Sequence, residues 1–145
     1  MKLNFKLLDG GILPTRAHKA DAGFDLYSPE DFTIKNEDSH TIPLKVCVEI
    51  PVGYVGFIMG RSSLNRGGIN ALTGVIDSGY TGEISVILHN TTRKQPGIYN
   101  GTPFFKGDRI AQLVICKLAD IEDAVAVDKL EDTERGDGGF GSTGA

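Results

Sequence analysis

The sequence predicts an all-β domain of the sandwich, jelly-roll or barrel kind, and three observations carry that expectation. Short apolar stretches rich in Val, Ile, Phe and Thr recur at even spacing, with Gly, Pro, Asn or Asp turn signals between them. No window sustains the 3.6-residue periodicity of an amphipathic helix. Glycine accounts for 19 of the 145 residues, against an average near ~7%, and it gathers at turns and in a few motifs rather than in a linker.

The elements follow in chain order. Leu3 to Leu8 form an opening strand, closed by the turn Asp9-Gly10-Gly11, and Pro14 to Lys19 read as a loop. In Ala22-Gly23-Phe24-Asp25-Leu26-Tyr27-Ser28, Phe24, Leu26 and Ser28 alternate with Asp25 and Tyr27, the two faces of a strand. Thr33-Ile34-Lys35 and Thr41-Ile42-Pro43-Leu44 flank a polar loop, Val46 to Ile50 follow, and Pro51-Val52-Gly53 turns the chain. Tyr54 to Met59 is a strand with Val55, Phe57 and Met59 on one side. Ser62 to Arg66 is the one helical candidate, with Ser62 or Ser63 to cap it and Gly67-Gly68 to end it.

Residues 74–84 read as a β-hairpin: Val75 and Ile76 in the first arm, Ser78-Gly79 in the turn, and Ile84 opening a second arm that runs to His89. Ile110 to Cys116 is nearly all apolar and reads as a strand buried on both faces. Val125-Ala126-Val127 is a short late strand. From residue 131 the composition changes: an acidic run, Glu131-Asp132-Thr133-Glu134, precedes a stretch from Arg135 to Ala145 with five glycines and one aromatic. As an isolated segment it buries too little to offset its chain entropy and is expected to be disordered. The chain thus divides into a folded domain, 1–130, and a flexible arm, 131–145.

Composition excludes some function classes. A net charge of −4 argues against general affinity for nucleic acid, a polyanion. No run approaches the ~20 apolar residues of a membrane span, and no long apolar core follows the charges at the N-terminus; the expected location is the cytoplasm. Cys47 and Cys116 lie in apolar runs without a CxxC or Cys/His neighbour and are expected to be buried free thiols. His18 and His40 stand in polar contexts, as solvated surface residues.

Candidate chemistry sits in five places. Asp77 stands beside a β-branched pair, where a strand prefers a neutral residue, and Tyr80 follows three positions on. Together they offer a carboxylate for an activated water and a ring to stack; an aspartate that merely starts the turn is the alternative. Gly60-Arg61-Ser62-Ser63-Leu64-Asn65-Arg66-Gly67-Gly68 follows a strand and opens the helix, so that backbone N–H groups, serine hydroxyls and the Arg61 guanidinium converge as an anion site. The bland alternative is an ordinary capped helix with a surface arginine.

In the arm, glycines let backbone amides approach a phosphate, Ser142 and Thr143 add hydroxyls, Arg135 adds charge, and Phe140 can stack on a base. The absence of Gly-Lys-Ser/Thr separates it from the Walker A loop. Gln112, polar within an apolar strand, needs partners, either structural or on a ligand across a subunit boundary. Asp25, a strand carboxylate near phosphates, could hold the waters of a bound Mg²⁺. These parts together ask for a nucleoside triphosphate.

The segments AGFDLYS (22–28), GRSSLNRGG (60–68), GVIDSGYTGEI (74–84), GDRIAQLVI (107–115) and RGDGGFGSTG (135–144) resemble, in order and spacing, the five motifs of the trimeric dUTP pyrophosphatase (dUTPase) family. The resemblance implies a distorted jelly roll of the β-clip type, assembled as a homotrimer with active sites shared between subunits and closed by the C-terminal arm. It implies Mg²⁺-dependent hydrolysis of dUTP to dUMP and pyrophosphate, which limits uracil in DNA and supplies dUMP for dTMP synthesis. By the match, Asp77 is the general base and Tyr80 packs under the deoxyribose, leaving no room for a 2′-hydroxyl. Arg61, Ser62, Ser63 and Gln112 hold phosphates, and Arg135 reaches the γ-phosphate. Phe140 stacks on uracil, Gly141, Ser142 and Thr143 wrap the phosphate chain, and Asp25 binds Mg²⁺ through water, the ion otherwise being held by the triphosphate.

One position departs from the pattern. Many relatives carry a uracil-reading Asn six residues before the catalytic Asp; here that position is Ala71, and Asn70 lies one residue earlier. Either Asn70 reads the base, or the backbone near Gly74, Val75 and Ile76 does. dCTP deaminases share the fold and the Arg-Ser-Ser motif but carry a catalytic Glu about ten positions after this Asp, where this chain has Ile87. A trimer that senses dUTP and switches a partner is a further alternative.

Overall fold

The computed structural model describes residues 2–97, 100–134 and 136–137. Among the described residues, ten strands and one short helix follow one another: β1 (Asn4–Leu7), β2 (Gly23–Tyr27), β3 (Phe32–Lys35), β4 (Asp38–Glu49), β5 (Tyr54–Met59), α1 (Ser62–Arg66), β6 (Ile69–Ala71), β7 (Gly74–Ile76), β8 (Glu83–Asn90), β9 (Gly101–Phe104) and β10 (Arg109–Lys117). They form two four-stranded antiparallel sheets, β1-β4-β8-β6 and β2-β10-β5-β7, and a small pair, β3-β9. One face of each large sheet is apolar, and the two faces close on a common core, the jelly roll that the residue pattern and the motif resemblance predict. Leu26, Ile58, Ile76, Ile110 and Leu113 come from one sheet; Ile42, Leu44, Val46, Ile84, Val86 and Leu88 come from the other.

Leu113 sits mid-strand in β10, paired on one side with Phe24 and on the other with Ile58, and is fully buried. Leu113→Ala is expected to lower stability by about 3 kcal/mol through lost burial plus the cavity left behind. Denaturant unfolding of the two proteins, with unchanged slope, measures it.

Several expectations change. Residues 74–84 are not a hairpin: β7 pairs with β5 in one sheet, whereas β8 pairs with β4 and β6 in the other. Ile76 and Ile84 both reach the core, from opposite sides, which the two arms of one tight hairpin could not do; the connection 77–82 crosses between sheets. The polar loop expected before Thr41 contracts to a turn at Asn36-Glu37, with Glu37 at φ 60°, and β4 runs unbroken through Pro43, losing register against β8 between Pro43 and Cys47. His40 therefore lies in a strand, exposed but stacked on Phe32 at 5.1 Å.

In β10, Ala111 and Leu113 are buried, Gln112 and Val114 are half-buried, and Cys116 is exposed; Cys47 alone is a buried thiol. Among the described residues no strand follows β10, so the expected strand at Val125 to Val127 is absent: Val125 is 78% and Leu130 79% exposed. Among the described residues, no helix is long and apolar enough to cross a membrane.

Candidate active site

Two clefts gather the candidate residues. The first, about 360 Å³, is lined by Asp25, Arg61, Ser62, Ser63, Arg109 and Gln112, with Asp21 and Gly23 at its rim. Strand register explains the grouping. Asp25 on β2, Gln112 on β10 and Met59 on β5 are directly opposite one another across three strands, so their side chains share one face of the sheet. Gly23 leaves room for the Gln112 amide: a Cβ there would stand 2.8 Å from Gln112 Oε1 and would push that side chain aside.

β5 ends at Met59 and the chain turns directly into α1, which delivers Arg61, Ser62 and Ser63 to the same face. Neither serine caps the helix: Arg61, in extended conformation, is the N-cap, and no side chain bonds to the first turn. Both hydroxyls are thereby left for the cleft. Gln112 donates through Nε2 to the Gly60 carbonyl at 3.0 Å, tying the loop down and leaving its second N–H to point elsewhere.

Asp25 is the electrostatic centre of this cleft. Its Oδ1 lies 3.2 Å from Arg61 Nε and its Oδ2 3.5 Å from Arg109 Nη1, with the carboxylate 18% exposed. Arg61 also donates through Nη1 to the Arg109 carbonyl at 3.2 Å. Arg61 and Arg109 share this cleft with Asp25 and Asp21, and the two guanidiniums, with the Ser62 and Ser63 hydroxyls, supply the donors an anion needs. Arg109 lies within a motif singled out from sequence, yet no role attaches to it there. The signal that could have found it is Asp25 itself, since a half-buried strand carboxylate needs a cation.

The second cleft, about 320 Å³, is lined by Ile58, Gly74, Val75, Ile76, Asp77, Tyr80, Glu83, Ile84 and Ser85. β7 is the edge strand of its sheet, so the backbone groups on its outer side have no ladder partner and can bond a ligand. Asp77 follows it directly, exposed, and its carboxylate has no hydrogen-bond or ion-pair partner among the described residues. Tyr80 N–H donates to the Asp77 carbonyl at 3.0 Å, closing the turn that the sequence reading placed here.

The structure thus brings together Asp77, Tyr80, Gly74, Val75 and Ile76 in one cleft and Asp25, Arg61, Ser62, Ser63 and Gln112 in another. Among the described residues, none lines both. Asn70 joins neither: Ile69 and Ala71 on β6 turn to the core, so Asn70 points away from it. Arg135, Phe140, Gly141, Ser142 and Thr143 lie outside the described residues. Among the described residues, no group of three or more His, Cys, Asp or Glu could hold a metal ion by itself.

Comparison with known proteins agrees with this geometry. The dUTPase family model matches residues 9–144. The deoxyuridine 5′-triphosphate nucleotidohydrolase of Candida glabrata is 40% identical over 135 residues, covering 92% of this chain and 90% of its own. Among solved structures, the Staphylococcus bacteriophage 80alpha dUTPase, in a mutant form with dUpNHpp, superposes with a TM-score of 0.89 at 32% identity and covers 99% of each chain. The dUTPase of phage phi11 of S. aureus, whose structure is described as revealing the coordination of a structural Mg(II) ion, superposes with a TM-score of 0.84 at 28% identity, covering 91% of this chain and 100% of its own. With the family model matched over almost the whole length and the fold in agreement, the chain belongs to the dUTPase family.

Proposed function

We propose that the protein hydrolyses dUTP to dUMP and pyrophosphate, with Asp77 as the general base. The observation that carries this reading is the Asp77 carboxylate, exposed and without a partner among the described residues, at the end of an edge strand with Tyr80 in the same cleft. A water held by Asp77 would attack the α-phosphorus, its proton passing to the carboxylate. The bond from the α-phosphorus to the bridging oxygen of the β-phosphate breaks, and that oxygen leaves with pyrophosphate. Uracil would lie along β7, where the outer N–H and C=O groups of Gly74, Val75 and Ile76 can meet its amide edge; the orientation of Asn70 favours this backbone reading. Tyr80 would pack under the deoxyribose.

The triphosphate would lie in the first cleft, on Arg61, the hydroxyls of Ser62 and Ser63, and the second N–H of Gln112. Arg61 would exchange Asp25 for phosphate oxygens. The donor set fits a Mg²⁺ ion carried mainly by the triphosphate: Asp25, as a single carboxylate, would accept hydrogen bonds from metal-bound waters rather than hold the ion. When bound, Mg²⁺ would offset phosphate charge as the leaving group departs. Arg135, Phe140, Gly141, Ser142 and Thr143 would close over the substrate. Since no described residue of one chain lines both clefts, we take the complete site to join clefts of neighbouring copies in a homotrimer. In the cell such an activity would limit uracil in DNA and supply dUMP for dTMP synthesis.

The purified protein, offered dUTP, dCTP, dTTP and UTP with Mg²⁺, is expected to release pyrophosphate from dUTP far faster than from the others. No turnover of dUTP, or ammonia from dCTP, would overturn the reading.

A further inference from the structure

Tyr80 is 47% exposed, and a ring so open ordinarily samples several rotamers. Here it is fixed at both ends. Its backbone N–H donates to the Asp77 carbonyl, and its hydroxyl donates to the Glu83 carbonyl at 2.7 Å. The ring folds back over Gly82, which must lack a side chain: a Cβ there would stand 2.6 Å from the Tyr80 hydroxyl oxygen and 2.7 Å from the ring carbon bearing it.

Glu83 is itself held from the opposite side. Its Oε1 accepts the Lys45 N–H at 2.7 Å. Lys45 has φ of 58°, the left-handed region that side-chain-bearing residues rarely enter, and sits where β4 loses register against β8. Its carbonyl accepts the Leu8 N–H at 2.8 Å. A strained bulge of this kind persists only when its surroundings over-determine it, and the Glu83 carboxylate is one of those determinants. Glu83 therefore links the bulge, through its carboxylate, to the tyrosine, through its carbonyl.

We propose that Glu83 is a positioning residue for sugar selection: with Gly82 as the seat, it fixes the height of the Tyr80 ring and so sets how strongly a 2′-hydroxyl is rejected. Steric rejection needs a wall that does not yield, and a ring free to move by about an ångström would admit the extra oxygen. The inference rests on Tyr80 serving as the sugar platform.

The test compares kcat and KM for dUTP and UTP in the full-length protein and in Glu83→Ala, Glu83→Gln and Tyr80→Phe, with calorimetric binding of the non-hydrolysable imido analogues of both nucleotides. Glu83→Ala and Tyr80→Phe should each cut the dUTP-to-UTP ratio of kcat/KM about tenfold, mainly by raising KM for dUTP and lowering it for UTP. Glu83→Gln keeps an oxygen for the Lys45 N–H and should stay within about twofold of the parent. Tyr80→Phe removes one exposed hydroxyl and decides the matter if Glu83→Ala does not fold. An unchanged ratio in Tyr80→Phe, or in folded Glu83→Ala, overturns the role of Glu83. A parent protein that does not prefer dUTP to UTP overturns the sugar-platform reading instead.

Discussion

Asp77→Asn binds a non-hydrolysable dUTP analogue as tightly as the parent and loses about 10²–10⁴-fold in turnover, the range that a positioned general base supplies. The substitution replaces one carboxylate oxygen by an amide of the same shape. No partner among the described residues is left unsatisfied, because the Asp77 side chain has none, and the turn at its backbone carbonyl is untouched. Stability and binding are therefore insulated from the change, while the proton acceptor is gone. Single-turnover kinetics with calorimetric binding separates the two; turnover within a few-fold of the parent would refute the role.

Removal of residues 135–145 lowers dUTP hydrolysis by at least about a hundredfold, the scale of lost positioning and water exclusion, and leaves the fold and the oligomer in place. Among the described residues, the buried core runs from Leu26 to Leu113, well before the deleted segment. What the deletion takes is Arg135, Phe140, Ser142 and Thr143, the remaining groups with the chemistry to meet a phosphate chain and a base. Kinetics and light scattering on the truncated protein check both halves; a truncated protein that runs as a monomer would contradict the separation of arm from assembly.

Much of this was legible along the chain, and the rest was not for physical reasons. Period-two alternation marked β2, where Leu26 and Ser28 are buried and Asp25 and Tyr27 face the other way. Arg61 and the two serines that open α1 stood out as a candidate anion site because their chemistry is local, and the structure gathers them in one cleft. Sheet membership is not local: nothing in residues 74–84 says that Ile76 belongs with β5 and Ile84 with β4. β6 is only Ile69-Asn70-Ala71, too short for alternation to register. The contact of Glu83 with Lys45 spans a sequence separation of 38, and the pairing of Arg109 with Asp25 depends on the register of β10 against β2. Cys116 looked buried because its neighbours are apolar, but it lies at the exposed end of β10.

The central claim is that the Asp77 cleft of one copy and the Arg61 cleft of another make one site. Co-expression of Asp77→Asn chains with Arg61→Ala chains tests it directly, since each chain alone lacks one half. If neighbouring copies share sites, random pairing in a cyclic trimer restores about one quarter of the wild-type sites, and dUTP hydrolysis should recover to about that level. A mixture no more active than its two components would contradict the account.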